Sequence, residues 1–110
     1  MSRDEIPPGT LYLLILKTLA VRGVLHGCEF AESIQHHSED ILQVEEGSLY
    51  PALQRMLVKG WVAAEWGVTA GNRRARYFTF TADGRKQLAV ELNKFERIMA
   101  AVNRVILTSQ

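Results

Sequence analysis

Hydrophobic and polar positions follow three different rhythms along this chain, and each rhythm predicts a different element. From Leu11 to Val21 only Lys17 and Thr18 are clearly polar. A helix so nearly apolar all round is buried on more than one side. Thr10 suits its N-cap and Gly23 its end. A second helix is expected from about Gly27 to His37, with Phe30, Ala31 and Ile34 as its inner stripe. Ahead of both, residues 1–9 end in "IPPG", a turn-like arm.

The stretch "EEGSLYPALQRM", Glu45 to Met56, carries a third helix with a proline inside it. At about 100° per residue, Leu49, Leu53, Met56, Leu57 and Gly60 gather on one side, the core face. Opposite lie Ser48, Pro51, Gln54, Arg55 and Val58, with Tyr50 at the boundary. An interior proline costs roughly 3 kcal/mol, so Pro51 should fall among the first, intrinsically unpaired N–H positions. That reasoning starts the helix at Gly47 or Ser48 and ends it near Lys59, closed by Gly60. Ser48, Tyr50, Pro51, Gln54 and Arg55 would then occupy its first two turns.

After Gly60 the period shortens. "WVAAEW" and "ARYFTFT" are rich in aromatic and β-branched residues, and "GVTAGNRR" between them supplies turn chemistry, which predicts a hairpin with a basic tip. Thr81 can cap a last helix, with Asp83 in its first turn. That helix has about 25 residues at 1.5 Å each, roughly 38 Å, too long for so small a body to cover. Leu88, Leu92, Phe95, Met99, Val102 and Ile106 recur at spacings of four and three, the seam of a coiled coil, and Ile98 and Val105 widen it. The order helix, helix, helix, hairpin, long helix is that of an α+β, mostly α protein. It is the plan of a winged helix-turn-helix with a long C-terminal dimerisation helix. The expected divisions are an arm at 1–9, a DNA-binding domain at 10–80 and the dimerisation helix at 81–110.

Composition changes this picture little. The 110 residues are 47% hydrophobic with a net charge of +1, so any case for a charged partner rests on local clustering. One cysteine allows no intrachain disulfide. The acidic start "MSRDEIPPG" argues against a signal peptide, and "LYLLIL" is too short to cross a bilayer. A cytoplasmic protein with no membrane partner is the expectation.

Local chemistry is more telling. On the third helix, Arg55 could meet guanine, Gln54 adenine, and Pro51 a thymine methyl, as a recognition helix does in a major groove. In "NRRARYF", Arg73, Arg74 and Arg76 stand beside Tyr77 and Phe78, a phosphate-seeking finger. Glu45 and Glu46 favour a helix N-terminus yet repel phosphate. No nucleophile elbow, glycine-rich phosphate loop or paired carboxylates point to catalysis. Glu29, Glu32 and His36 share a helix face with His26, Cys28 and His37 nearby. The set lacks a strong zinc spacing, so a solvated face is expected and no metal or cofactor. Cys28 is expected to be a small buried residue, and Trp61 and Trp66 to anchor the hairpin to the core.

"GTLYLLILKTLA", "HGCEFAESI", "VEEGSLYPALQRMLVKGWVAAEW", "NRRARYFTFTADGRKQL" and the final helix resemble the PadR family of bacterial transcriptional regulators over about residues 9–107. The most specific element is "GSLYPAL" followed by a basic, aromatic strand running into T-x-x-G. The resemblance implies a homodimeric winged helix, usually a repressor, on an inverted-repeat DNA operator. It assigns Ser48, Tyr50, Pro51, Gln54 and Arg55 to the recognition helix and Arg73, Arg74, Arg76 and Tyr77 to the wing. Leu88 through Ile106 become the dimer helix, packed against the partner's first helix. Cys28 and Phe78 stand where the family usually has tyrosines. Some short members stack flat drugs on a tryptophan of the dimer helix. A small aromatic or lipophilic effector is therefore a partner class, although this helix offers only Phe95. The competing expectation is a winged helix used to bind another protein.

Overall fold

The nearly apolar first segment forms α1, Leu11–Arg22, whose Ile15, Leu16 and Leu19 are completely buried. Thr10 precedes it, and its carbonyl accepts from Leu14 N–H at 3.1 Å, while its side chain makes no capping bond. At the other end Gly23 takes φ +89°, which a residue with a Cβ adopts only under strain, and its N–H returns to Leu19 O at 2.7 Å. The computed structural model describes residues 4, 5 and 9–109. The proline pair of the N-terminal arm lies outside them.

Between Gly23 and the second helix lies β2, Val24–His26, which sequence periodicity does not reveal. It is followed by α2, Gly27–His37, with Phe30, Ser33 and Ile34 buried and Ala31 half-buried. Two short strands, β1 (Asp4–Glu5) and β3 (Leu42–Gln43), pair in parallel, tying the arm to the segment before the third helix.

The third helix, α3, spans Glu46–Val58 with Glu45 as an extended N-cap. Its start lies ahead of the Gly47 or Ser48 expected from the proline. Glu45 O accepts from both Ser48 N–H and Leu49 N–H, so the opening turn is complete before Pro51 is reached. Pro51 is therefore a true interior residue, and the carbonyl of Gly47, four residues back, lacks its helical donor. Gly47 is at the surface, where an unpaired carbonyl costs little, and Glu46 in the first turn favours the helix dipole. Of the expected core face Leu49, Leu53 and Met56 are buried, joined by Ala52, while Leu57 and Gly60 are half-buried.

The hairpin consists of β4, Val62–Val68, and β5, Arg74–Phe80, antiparallel with Trp66 opposite Arg76 and Val68 opposite Arg74. On its other edge β5 pairs with β2, Leu25 opposite Phe78, so the sheet has three strands in the order β2-β5-β4. Phe78 and Phe30 meet edge to face at 6.0 Å, joining sheet to helices.

The last helix, α4, runs Ala82–Ile106. Its junction with the body is closely fitted. Thr81 Oγ1 accepts from Gly84 N–H at 2.9 Å and lies 2.7 Å from Gly60 O and 2.8 Å from Trp61 O, sharing its proton between them. Gly84 is buried, and a Cβ there would collide with the Trp61 carbonyl oxygen. Leu88 packs against its own chain's core. Beyond it the apolar stripe is uncovered: Leu92 is 44% exposed and Val105 75%. The Cα radius of gyration, 15.6 Å, exceeds the about 13 Å of a compact chain this long, because α4 projects. Among the described residues no helix is long and apolar enough to cross a membrane. Three helices, a three-stranded sheet and a projecting helix make a winged-helix architecture.

Alanine is the better helix former by about 1 kcal/mol, yet Gly84→Ala should destabilise the protein by about 1–3 kcal/mol through overpacking. Urea unfolding measures this, and an unchanged or raised midpoint would contradict the packing described.

Candidate nucleic-acid interface

A shallow groove of about 640 Å³ separates α3 from the hairpin. Tyr50, Leu53 and Gln54 form one bank, Trp66, Arg74 and Arg76 the other, and Gly27 and Cys28 close one end. Strand alternation explains the second bank. Arg74, Arg76 and Phe78 share one face of β5, and because Phe78 is buried, that face is turned toward α3.

The wing cations are held by rings. Arg74 lies over the Trp66 indole, 4.5 Å from its centroid, and Arg76 stands 6.0 Å from the centre of Phe78. Among the described residues the only ion pairs are Arg22–Glu29 and His26–Glu29, so none of the wing arginines is ion-paired there. Trp66 is 61% exposed, which corrects the expectation that it anchors the hairpin; it is a platform for Arg74. Trp61 does anchor, half-buried and edge-on to Tyr12. Arg73 sits in the loop at residues 69–73, where Thr69 N–H donates to Arg73 O at 2.8 Å. Only it occupies the tip; Arg74 and Arg76 belong to the strand. Tyr77 faces the other way, its ring over Gly67 and 5.5 Å from that of His26.

On α3 the structure exposes Ser48, Tyr50, Pro51, Gln54 and Arg55, the set inferred from helical period. The earlier helix start places Gln54 and Arg55 in the third turn instead of the second. Arg55 turns away from the groove: its Nε–H donates to Tyr12 Oη at 2.6 Å.

Tyr50 closes the end of the groove. Its ring lies on Gly27, where a Cβ would come within 2.7 Å of Cε1, and its hydroxyl lies beside Cys28. Cys28 is exposed, not buried as expected. Burial raises the Tyr50 pKa above the usual 10.0, and the Cys28 and Glu46 charges raise it further. The possible metal cluster is differently engaged: Glu29 accepts from His26 N–H and pairs with Arg22, and His37 Nδ1 lies 2.9 Å from Ser33 O. Among the described residues no group of three or more ligands is arranged for a metal. Sequence reasoning missed Tyr12, Gly27 and Cys28 as supports of the site; only "HG" before a helix hinted at a close approach.

A polar helix face beside a ring-mounted cationic wing completes a winged helix-turn-helix. The chain belongs to the transcriptional regulator PadR-like family, whose model matches residues 15–90. It is similar in structure to a transcriptional regulator from Clostridium thermocellum, with a TM-score of 0.79 and 23% identity over 87% of this chain and 92% of that one. A PadR family regulator from Eggerthella lenta gives 0.77 and 25% over 92% and 85%. A PadR-like regulator from Bacillus cereus gives 0.74 and 23% over 92% and 95%. These are regulators, a class generally without enzymatic activity.

Because the folded pKa of Tyr50 is raised, its contribution to stability is complete below pH 10.0 and is lost as pH climbs through the higher folded value. Urea midpoints should fall in that alkaline window for the native chain and fall less for Tyr50→Phe. Identical alkaline declines would remove Tyr50 as the cause.

Proposed function

We propose that the chain is a cytoplasmic, homodimeric repressor that binds an inverted-repeat operator in double-stranded DNA. The observation that carries this reading is the pairing, across one groove, of an exposed polar α3 face with guanidiniums that have no carboxylate partner among the described residues. Family membership supports it, since regulators of this family bind DNA and are generally dimeric. Ser48, Tyr50, Pro51 and Gln54 meet base edges in the major groove, while Arg73, Arg74 and Arg76 grip phosphates. Ring-mounted arginines lose less freedom on binding than free ones, which favours the wing contact. Tyr77 stiffens the wing from its outer face.

Residues 10–80 serve as the DNA-binding unit and 81–110 as the dimerisation helix. Leu92, Phe95, Met99, Val102 and Ile106 of α4 pair with the same residues of a second copy, since an uncovered apolar stripe of this length marks an interface. Leu88 closes the body end of that seam. A small aromatic or lipophilic effector would act by changing the angle between the two α4 helices.

The test is a gel shift on the DNA upstream of the chain's own gene, run beside sedimentation. The native chain should prefer one duplex over a random one and sediment as a dimer. Met99→Glu should give monomers and lose most of the preference. No preference in the native chain would favour a protein-interaction module instead, and an intact Met99→Glu dimer would refute the seam.

A further inference from the structure

The edge of α3 away from the hairpin carries an arrangement that the proposed contacts leave unused. Arg55 donates its Nε–H to Tyr12 Oη at 2.6 Å, a bond between residues 43 apart in the chain. The guanidinium carbon lies 5.7 Å from the centre of the same ring. Tyr12 is itself fixed, edge-on to Trp61 with centroids 5.6 Å apart at 82°. One turn beyond Arg55, Lys59 holds its ammonium 5.1 Å from the Trp61 ring centre. Neither cation has an ion pair among the described residues.

Counting donors identifies the ligand chemistry. A guanidinium has five N–H donors; spending Nε–H on Tyr12 fixes its plane and leaves the Nη fork free. The Tyr12 hydroxyl accepts that bond through a lone pair and keeps its own O–H to give. Fork, hydroxyl and ammonium are all donors, the complement of an oxyanion that only accepts. A base edge would call for a mixed pattern at most positions.

Position agrees with chemistry. Arg55 lies about 140° around α3 from Tyr50, which borders the wing groove. A helix in a major groove has base edges ahead of it and phosphates along both walls. With the wing on one wall, Arg55 faces the other. We infer that Tyr12, Arg55 and Lys59 form a second phosphate clamp, so that Arg55 grips the DNA backbone instead of reading guanine. The inference rests on the DNA-binding reading above.

The experiment is a salt titration of DNA binding by the native chain, Arg55→Gln, Arg55→Lys and Tyr12→Phe, each on the preferred duplex and on a random one. Arg55→Gln should weaken both duplexes by the same factor. It should also lower the slope of log affinity against log salt by about 0.9, which spares about 3.5-fold of the loss between 50 and 200 mM. Arg55→Lys should recover the slope. Tyr12→Phe, which keeps ring and charge, should weaken both duplexes equally with the slope intact. The inference is overturned if Arg55→Gln keeps the native slope and loses discrimination at one base pair. It is equally overturned if thermal stability falls while both affinities stand, since the bond would then only tie α1 to α3. A native chain that binds no DNA would instead sink the regulator reading itself, an outcome visible before any variant is compared.

Discussion

The architecture turns on one junction, where Thr81 and Gly84 seat α4 against the carbonyls of Gly60 and Trp61. Gly60, at φ +77°, ends the run out of α3, and Trp61 leads directly into β4. One threonine side chain thus fixes the end of the candidate recognition helix, the root of the wing and the start of the projecting helix relative to one another. The missing Cβ of Gly84 lets the α4 backbone approach the Trp61 carbonyl more closely than any other residue would permit. Tyr12, edge-on to Trp61, brings α1 to the same point. Because the contacts are backbone carbonyls and a glycine, the angle between α3 and α4 has little room to vary. A regulator that works by the spacing of two recognition helices depends on such stiffness.

Glycine recurs wherever an aromatic side chain must lie flat on backbone. Gly27 lies beneath Tyr50 and Gly67 beneath Tyr77, and the Tyr77 ring also meets that of His26, the neighbour of Gly27. The wing arginines use rings in turn, Arg74 on Trp66 and Arg76 beside Phe78. The site is therefore preorganised by stacking more than by ion pairing. That suits a chain with a net charge of only +1, whose positive potential is local.

Much of this was legible in the sequence because period and exposure are linked. The α1, α2 and α4 spans, the hairpin and the outward set on α3 all followed from spacing. The three-residue β2 did not, since it is too short for an alternation to register and is defined only by its pairing with β5. The start of α3 lies ahead of the one that the rule against interior proline implies. At an exposed turn, with a surface glycine four residues back, that rule is weaker. The role of Trp66 is not legible, because residue type alone does not distinguish a buried anchor from a platform for a cation. The Arg55–Tyr12 bond lay beyond reach for another reason: no pattern links residues 43 apart before the fold is known.

In the proposed homodimer the α3–α4 junction would hold the two α3 helices one turn of DNA apart, about 34 Å. Varying the spacer between operator half-sites tests it most directly. Adding about 5 base pairs, half a turn, should abolish dimer binding by placing the second half-site on the opposite face of the duplex. Tight binding that persists at every spacer length would contradict the account, because the two α3 helices would then not be held at a fixed distance.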